Sequence, residues 1–255
     1  GTPAIMKVGL GEILFDTEWM PTAADPKFGI LWVILTSIVG TTLAILLGVP
    51  IGVLTAVFLA EVAPKPLAAI VKPAVELLAG IPSVIYGLLG IYLLNPLMYK
   101  LERLIFQGST THQFTGGANL LSAVIVLAIM ILPSIIKVSV TALEAVPPEY
   151  EDASLALGAT PVETYFKVSV PAARSGIAAA VVLGVGRAIG EAMAVMMVAG
   201  NSPNMPDSLF RSVTFLTTAI AKEMSYASGL QKQALFSIAL VLFVFIMGIN
   251  VVLNV

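Results

Sequence analysis

Residues 144–171 read EAVPPEYEDASLALGATPVETYFKVSVP, a polar, proline-punctuated stretch between two apolar runs. Pro147 and Pro148 can open a short helix, and Glu149, Glu151 and Asp152 fall in its first turn, where the helix dipole favours acids. Gly158 suits the left-handed position that closes it. Thr160 then caps a second helix, with Pro161 at its first position and Glu163 three residues on, the pattern of a capping box. Pro171 stops it. Two capped helices joined by a glycine hinge make a rigid knob outside a bilayer, presenting Ala153, Ala156, Leu157 and Tyr165 to a partner. A merely well-formed loop is the plain alternative.

The surroundings of this stretch decide the fold class. The chain has 255 residues, 58% hydrophobic and 11% charged, with a mean hydropathy of +0.99, against roughly 25% charged residues in soluble domains. That excludes a water-soluble globular protein. A net charge of −2 leaves no basic surplus to draw nucleic acid. Zero cysteines and one histidine, His112, exclude disulfides, iron–sulfur clusters and the usual zinc sites. The 16 prolines and 21 glycines among long apolar runs fit spanning helices rather than barrel strands. The expected class is an all-α polytopic membrane protein.

Five spans are expected, at about 28–60, 73–99, 119–141, 175–199 and 233–255. The first is uncharged from Phe28 to Ala60 and, at 1.5 Å per residue, about 50 Å long, so it crosses once with tilt or a kink at Pro50, between Gly48 and Gly52. The second is interrupted by Gly80, Pro82, Gly87 and Gly90. Leu209–Ala221 contains Arg211 and is too short to cross, which suggests a surface or partly inserted helix. Loop charges do not orient the spans: Lys65, Lys72, Lys137, Lys167 and Arg174 fall on one side, and Lys7, Lys27, Lys100, Arg103, Arg211, Lys222 and Lys232 on the other. A start at Gly1 and an end inside an apolar run read as trimmed termini, with a preceding span missing.

Charge inside the spans marks candidate function. Arg187 sits near the middle of the fourth span, where burial of a guanidinium costs roughly 2.5–3.5 kcal/mol. Glu191, four residues on, would share its helix face. Either the two neutralise each other as packing glue, or they line a path in which Arg187 attracts an oxyanion and Glu191 competes for the guanidinium so that the ion can leave. Gly176, Ala180, Gly184, Ala188 and Ala192 recur every fourth residue, with Gly186 and Gly190 as a GxxxG pair, so this helix packs closely against another, within the chain or in a second subunit. In the second span, Ser83 and Tyr86 beside the Gly80–Pro82 break are path candidates. So is Glu76, although pairing with Lys72 is the simpler expectation for it. His112, in a Ser/Thr/Gly-rich loop, reads as a solvated surface residue. No lysine directly follows a glycine and HExxH is absent, so the chain lacks the usual machinery to hydrolyse ATP.

The run Asp152-Ala153-Ser154, three residues, Gly158, nine residues, Val168-x-Val170-Pro171 resembles the EAA loop of ABC importer permeases. Asp replaces Glu, Ser the second Ala, and Val both Ile and Leu. Trp19-x-Pro21 with Phe28–Leu31, Glu76–Gly87, and Gly184–Val195 are similar to the PstC-type subunit of phosphate importers. The resemblance implies a type I ABC importer transmembrane domain with cytosolic coupling helices. It places 144–171 in the cytosol and 1–27 in the periplasm of a multi-pass inner-membrane protein. Glu151, Asp152, Ala153, Leu157, Gly158, Ala159, Thr160 and Pro161 become the residues that dock on an ATPase. The implied partners are a PstA-type permease, a PstB-type ATPase dimer holding ATP and Mg, and a periplasmic PstS-type phosphate-binding protein; this chain binds no cofactor itself. Sulfate and molybdate remain alternative substrates, and a secondary anion transporter or an intramembrane enzyme the alternative classes.

Overall fold

The computed structural model describes residues 2–253; residue 1 and residues 254–255, at the ends of the N-terminal segment and of the fifth expected span, lie outside the described residues. The chain opens with α1 (Thr2–Val8) and α2 (Leu10–Phe15), followed by a hairpin of β1 (Trp19–Met20) and β2 (Lys27–Phe28). The hairpin pairs Trp19 with Phe28, ring edge to ring face at 6.0 Å, and moves the start of the first span from Phe28 to Leu31.

The first span is α3 (Leu31–Val57), widening into a π turn at Phe58–Val62. Pro50 lies inside this helix without ending it. Its glycine neighbours allow close packing, since a Cβ on Gly48 would meet Ile131 at 2.7 Å and one on Gly52 would meet Ile135 at 2.9 Å. Next come α4 (Lys65–Ala79) and α5 (Ser83–Leu89), with a π turn at Gly90–Leu94 and α6 (Asn95–Ile105) continuing α5. The expected span 73–99 is therefore two pieces. Pro82 has no N–H to donate and holds Ile81 out of the helical region, so the membrane-length helix begins at Ser83 and ends at Ile105.

Helix α7 (Leu120–Glu144) is an uninterrupted third span, and α8 (Pro148–Ala156), α9 (Pro161–Thr164), a π turn at Tyr165–Ser169 and α10 (Val170–Ala172) form the polar connection. The second short helix therefore runs past Pro171 to Ala172, where it meets α11 (Arg174–Gly190) at 72°. A new helix, α12 (Met193–Val198), follows a two-residue break. Where one span was expected over 175–199, the helix stops at Gly190.

The stretch 209–221 is not a surface helix. Leu209 and Arg211 offer their carbonyls to the Leu121 and Leu120 N–H groups, which holds this part in an irregular, pinned conformation. Only α13 (Leu216–Glu223) is helical, and its first turn is buried. Helix α14 (Gly229–Leu253) ends the described chain. Its Phe236, Leu240, Phe243, Val244 and Met247 are exposed, the arrangement a lipid-facing helix requires. Among the described residues four helices are long and apolar enough to cross a membrane, and the bent pair Pro161–Ala172 and Arg174–Gly190 makes up to five.

Two compact units emerge: 1–44, 82–127 and 189–255 in one, and 45–81 with 128–188 in the other. The first has its core in Ile13, Ile30, Val33, Leu216, Leu235 and Ile238. Within it α5 lies against α12 so closely that a Cβ on Gly87 would reach Met197 Sδ at 2.5 Å and Ala194 Cα at 3.1 Å. The second is built on Val57, Leu59, Val75, Ile136, Val140 and Leu143. There the small-residue stripe of α11 faces α7: a Cβ on Gly176 would sit 2.3 Å from Ala142 Cβ, and one on Gly184 would sit 2.8 Å from Ile135. The stripe thus has an intrachain partner, while Gly186 and Gly190 face open space.

Candidate functional site

In the polar connection Gly158 ends α8 at φ +87°, a value that costs an L side chain energy but costs glycine none. Thr160 Oγ1 accepts from the Glu163 N–H at 3.3 Å, and the Thr160 N–H donates to Glu163 Oε2 at 3.1 Å, so the capping box is formed in both directions. Lys167 Nζ adds an ion pair to Glu163 at 3.1 Å. The Thr160 backbone N–H, then the Lys167 ammonium and the Thr160 hydroxyl, hold the Glu163 carboxyl down at about 2.

Two contacts tie the short helices together. Ser154 and Thr164 share a hydroxyl hydrogen bond of 2.9 Å, and Ser169 Oγ donates to Glu151 Oε1 at 2.8 Å. Ser154 stands where the EAA pattern has alanine, so the departure from the pattern adds a fastener. Facing outward are Asp152, Ala153, Thr160 and Pro161, while Ala159 is half-buried. Leu157 is 91% exposed, and Tyr150, Leu155, Val162 and Phe166 are exposed as well. Exposed apolar side chains of this kind are the ones that a partner protein or a membrane covers.

Arg187 lies in the last turn of α11 rather than at mid-helix. It is half-buried, and its Nη1 donates to Ser134 Oγ of α7 at 3.2 Å. Among the described residues it has no carboxylate partner. Glu191 falls outside the helix, because α11 stops at Gly190, and the four-residue spacing does not produce an ion pair. Its Oε1 instead accepts from the Ala194 N–H at 3.0 Å, capping α12, while its carbonyl accepts from Thr217 Oγ1 at 2.8 Å. Ser83 opens α5 and is half-buried, as is Tyr86 one turn on.

Glu76 does not pair with Lys72. It reaches Lys137 on α7 at 3.0 Å, and Lys72 pairs with Glu144. A lysine one turn before a glutamate is the less favourable order along a helix, and α7 supplies a partner to each. His112 is not a solvated residue: its ring stacks on Phe106 at 3.7 Å and its Nε2 lies 2.8 Å from Oε1 of Glu102, which is fully buried. The Thr115 N–H and hydroxyl complete the carboxylate's shell. A lone acid in the amphipathic helix α6 is the sequence sign of this latch. For Ser134 the available sequence signal is a hydroxyl following Pro133 in an apolar span.

The family model described as "Binding-protein-dependent transport system inner membrane component" matches residues 48–255. The chain belongs to that family. It is 41% identical over 235 residues to the "Probable ABC transporter permease protein YqgH" of Bacillus subtilis, covering 91% of this chain and 73% of the relative. It is 38% identical to the phosphate transport system permease protein PstC of Haemophilus influenzae, covering 92% of this chain and 76% of the relative. Among solved structures, the inward-facing MetNI methionine ABC transporter matches with a TM-score of 0.58 at 20% identity, over 89% of this chain and 91% of that one. This likeness gives the fold, that of a type I ABC importer transmembrane subunit. The chain is accordingly a multi-pass, non-catalytic permease component of an ABC transporter in the inner membrane, working with an ATPase and other components.

Proposed function

We propose that the chain is the PstC-type permease of an ATP-driven inorganic phosphate importer. The observation that carries this reading is Arg187, a half-buried guanidinium in the largely apolar helix α11, held by one serine hydroxyl and with no carboxylate partner among the described residues. Such a group keeps donors free for a tetrahedral oxyanion, and its planar fork matches two oxygens at once. The identity to PstC relatives adds phosphate as the oxyanion.

In this reading Arg187 attracts the ion. Glu191 is a charge that keeps the stay short, and Ser83, Tyr86 and Glu76 contribute polar groups to the path. The knob at 144–171 faces the cytosol, where Glu151, Asp152, Ala153, Leu157, Gly158, Ala159, Thr160 and Pro161 meet the ATPase. ATP and Mg bind in a PstB-type ATPase dimer, and this chain holds no cofactor. A PstA-type permease supplies the second half of the path and a PstS-type binding protein delivers phosphate. ATP binding closes the ATPase dimer, the knob transmits that movement, and the spans alternate between inward and outward access.

The test is uptake by the complete complex in proteoliposomes with Arg187→Ala and Arg187→Lys. Loss of uptake in the alanine variant, with assembly intact, supports the reading; wild-type uptake in an assembled alanine variant refutes it.

A further inference from the structure

Helix α7 carries Ser134, Lys137, Thr141 and Glu144 at spacings of three, four and three residues. At 100° per residue these fall within about 80° of one another, a polar stripe on a helix whose other polar residues, Ser122 and Ser139, are buried. Its upper end is the serine that accepts from Arg187. From there to Glu144 the helix advances about 15 Å toward the polar connection. Helix α4 faces the lower part with Lys72 and Glu76 one turn apart, so the two helices form two rungs of opposite sense: Lys137 with Glu76 at 3.0 Å, and Lys72 with Glu144.

These rungs surround a cavity of about 120 Å³ whose floor is apolar, including Leu59 and Val140. The volume is roughly four water volumes, enough for one small oxyanion. The four charged side chains remain between 33% and 56% exposed, so both ion pairs are open to solvent and held weakly. Staples between helices need neither a cavity between them nor lysines that stay accessible.

We propose that Lys72 and Lys137 form a release site for the transported oxyanion on the side of the polar connection, each lysine exchanging its carboxylate, Glu144 or Glu76, for the ion. The inference rests on the phosphate-importer reading above. Ammonium groups suit the step, because they are strongly hydrated point charges without the bidentate fork that would hold phosphate firmly. The carboxylates reclaim the lysines and the ion departs, which gives a site strong enough to enter and weak enough to leave.

The test loads proteoliposomes holding the complete complex with graded internal phosphate and measures initial uptake driven by phosphate-loaded binding protein. In the parent, internal phosphate inhibits and equal internal chloride does not. Lys137→Gln and Lys72→Gln each raise the half-inhibiting internal phosphate about tenfold, the loss of one charge-assisted contact, while Lys→Arg at either position lowers it, because the guanidinium fork holds phosphate more firmly. The double variant Glu76→Gln/Lys137→Gln retains a neutral, packed pair and shows the same rise if the lysine binds the ion. An unchanged half-inhibiting concentration in the assembled glutamine variants, or uptake in the parent without inhibition by internal phosphate, overturns the release site alone. A parent complex that takes up no phosphate removes the importer reading and this site with it.

Discussion

Replacing Gly158 with valine isolates the hinge between α8 and α9. Gly158 has φ +87°, and a Cβ built there has nothing within 4 Å, so the substitution meets no neighbour and its whole effect is on the backbone. A β-branched residue held in that region costs about 1–3 kcal/mol, equivalent to a shift of roughly 5- to 150-fold between the native hinge and alternatives. The strain is relieved by letting residue 158 return to negative φ. That swings α9 away from α8 and breaks the Ser154–Thr164 and Ser169–Glu151 contacts. The assay is the ratio of phosphate transported to ATP hydrolysed in proteoliposomes, with assembly checked by co-purification of the ATPase. Gly158→Val lowers that ratio, whereas Gly158→Asn, which tolerates the left-handed region better, lies between valine and the parent. A valine variant with parental coupling in an intact complex would show that the knob geometry does not transmit the ATPase stroke.

Other consequences follow from the same contacts. Arg187→Ala abolishes uptake without loss of assembly, read by transport and co-purification side by side. Glu191→Gln keeps an acceptor for the Ala194 N–H, so α12 stays capped; removal of the charge alone slows phosphate release, which pre-steady-state uptake measures. The Glu163 carboxyl titrates at about 2 against an ordinary value of 4.5. A depressed carboxylate contributes stability that is present above pH 4.5 and fades as pH falls through 2, so the protection factor of the Thr160 amide, which donates to this carboxylate, holds at pH 5 in the purified complex and falls between those limits. Gly87→Leu drives a side chain into Met197 and the Ala194 backbone, with an overpacking cost of about 1–3 kcal/mol, visible as a lower Tm of the detergent-solubilised complex.

Apolar runs and proline–glycine punctuation made the spanning helices legible, because a bilayer imposes length and composition on any helix that crosses it. The capping box at Thr160 and Glu163 was equally legible, since its partners are three residues apart and need no tertiary information. Interruptions were harder. The stop of α11 at Gly190 lies in a run of small residues that reads as continuous helix, and Glu191 becomes a cap for α12 only because the chain turns there. Partner choice was hidden for the same reason: Glu76 and Lys72 are neighbours in sequence, yet each finds its counterion on α7. His112 looked solvated from the polarity of its loop, whereas the fully buried Glu102 ten residues earlier draws it onto Phe106. Arg187 was visible as a charge in a span, but its hydroxyl partner, 53 residues away, was not.

The most direct measurement is ATPase activity of the complete complex in proteoliposomes with binding protein loaded with phosphate, sulfate or molybdate. Stimulation by the phosphate-loaded protein alone, lost in Arg187→Ala, is the predicted result. Equal stimulation by another oxyanion would keep the importer and withdraw phosphate, and no stimulation in an assembled complex would contradict the ATP-driven mechanism.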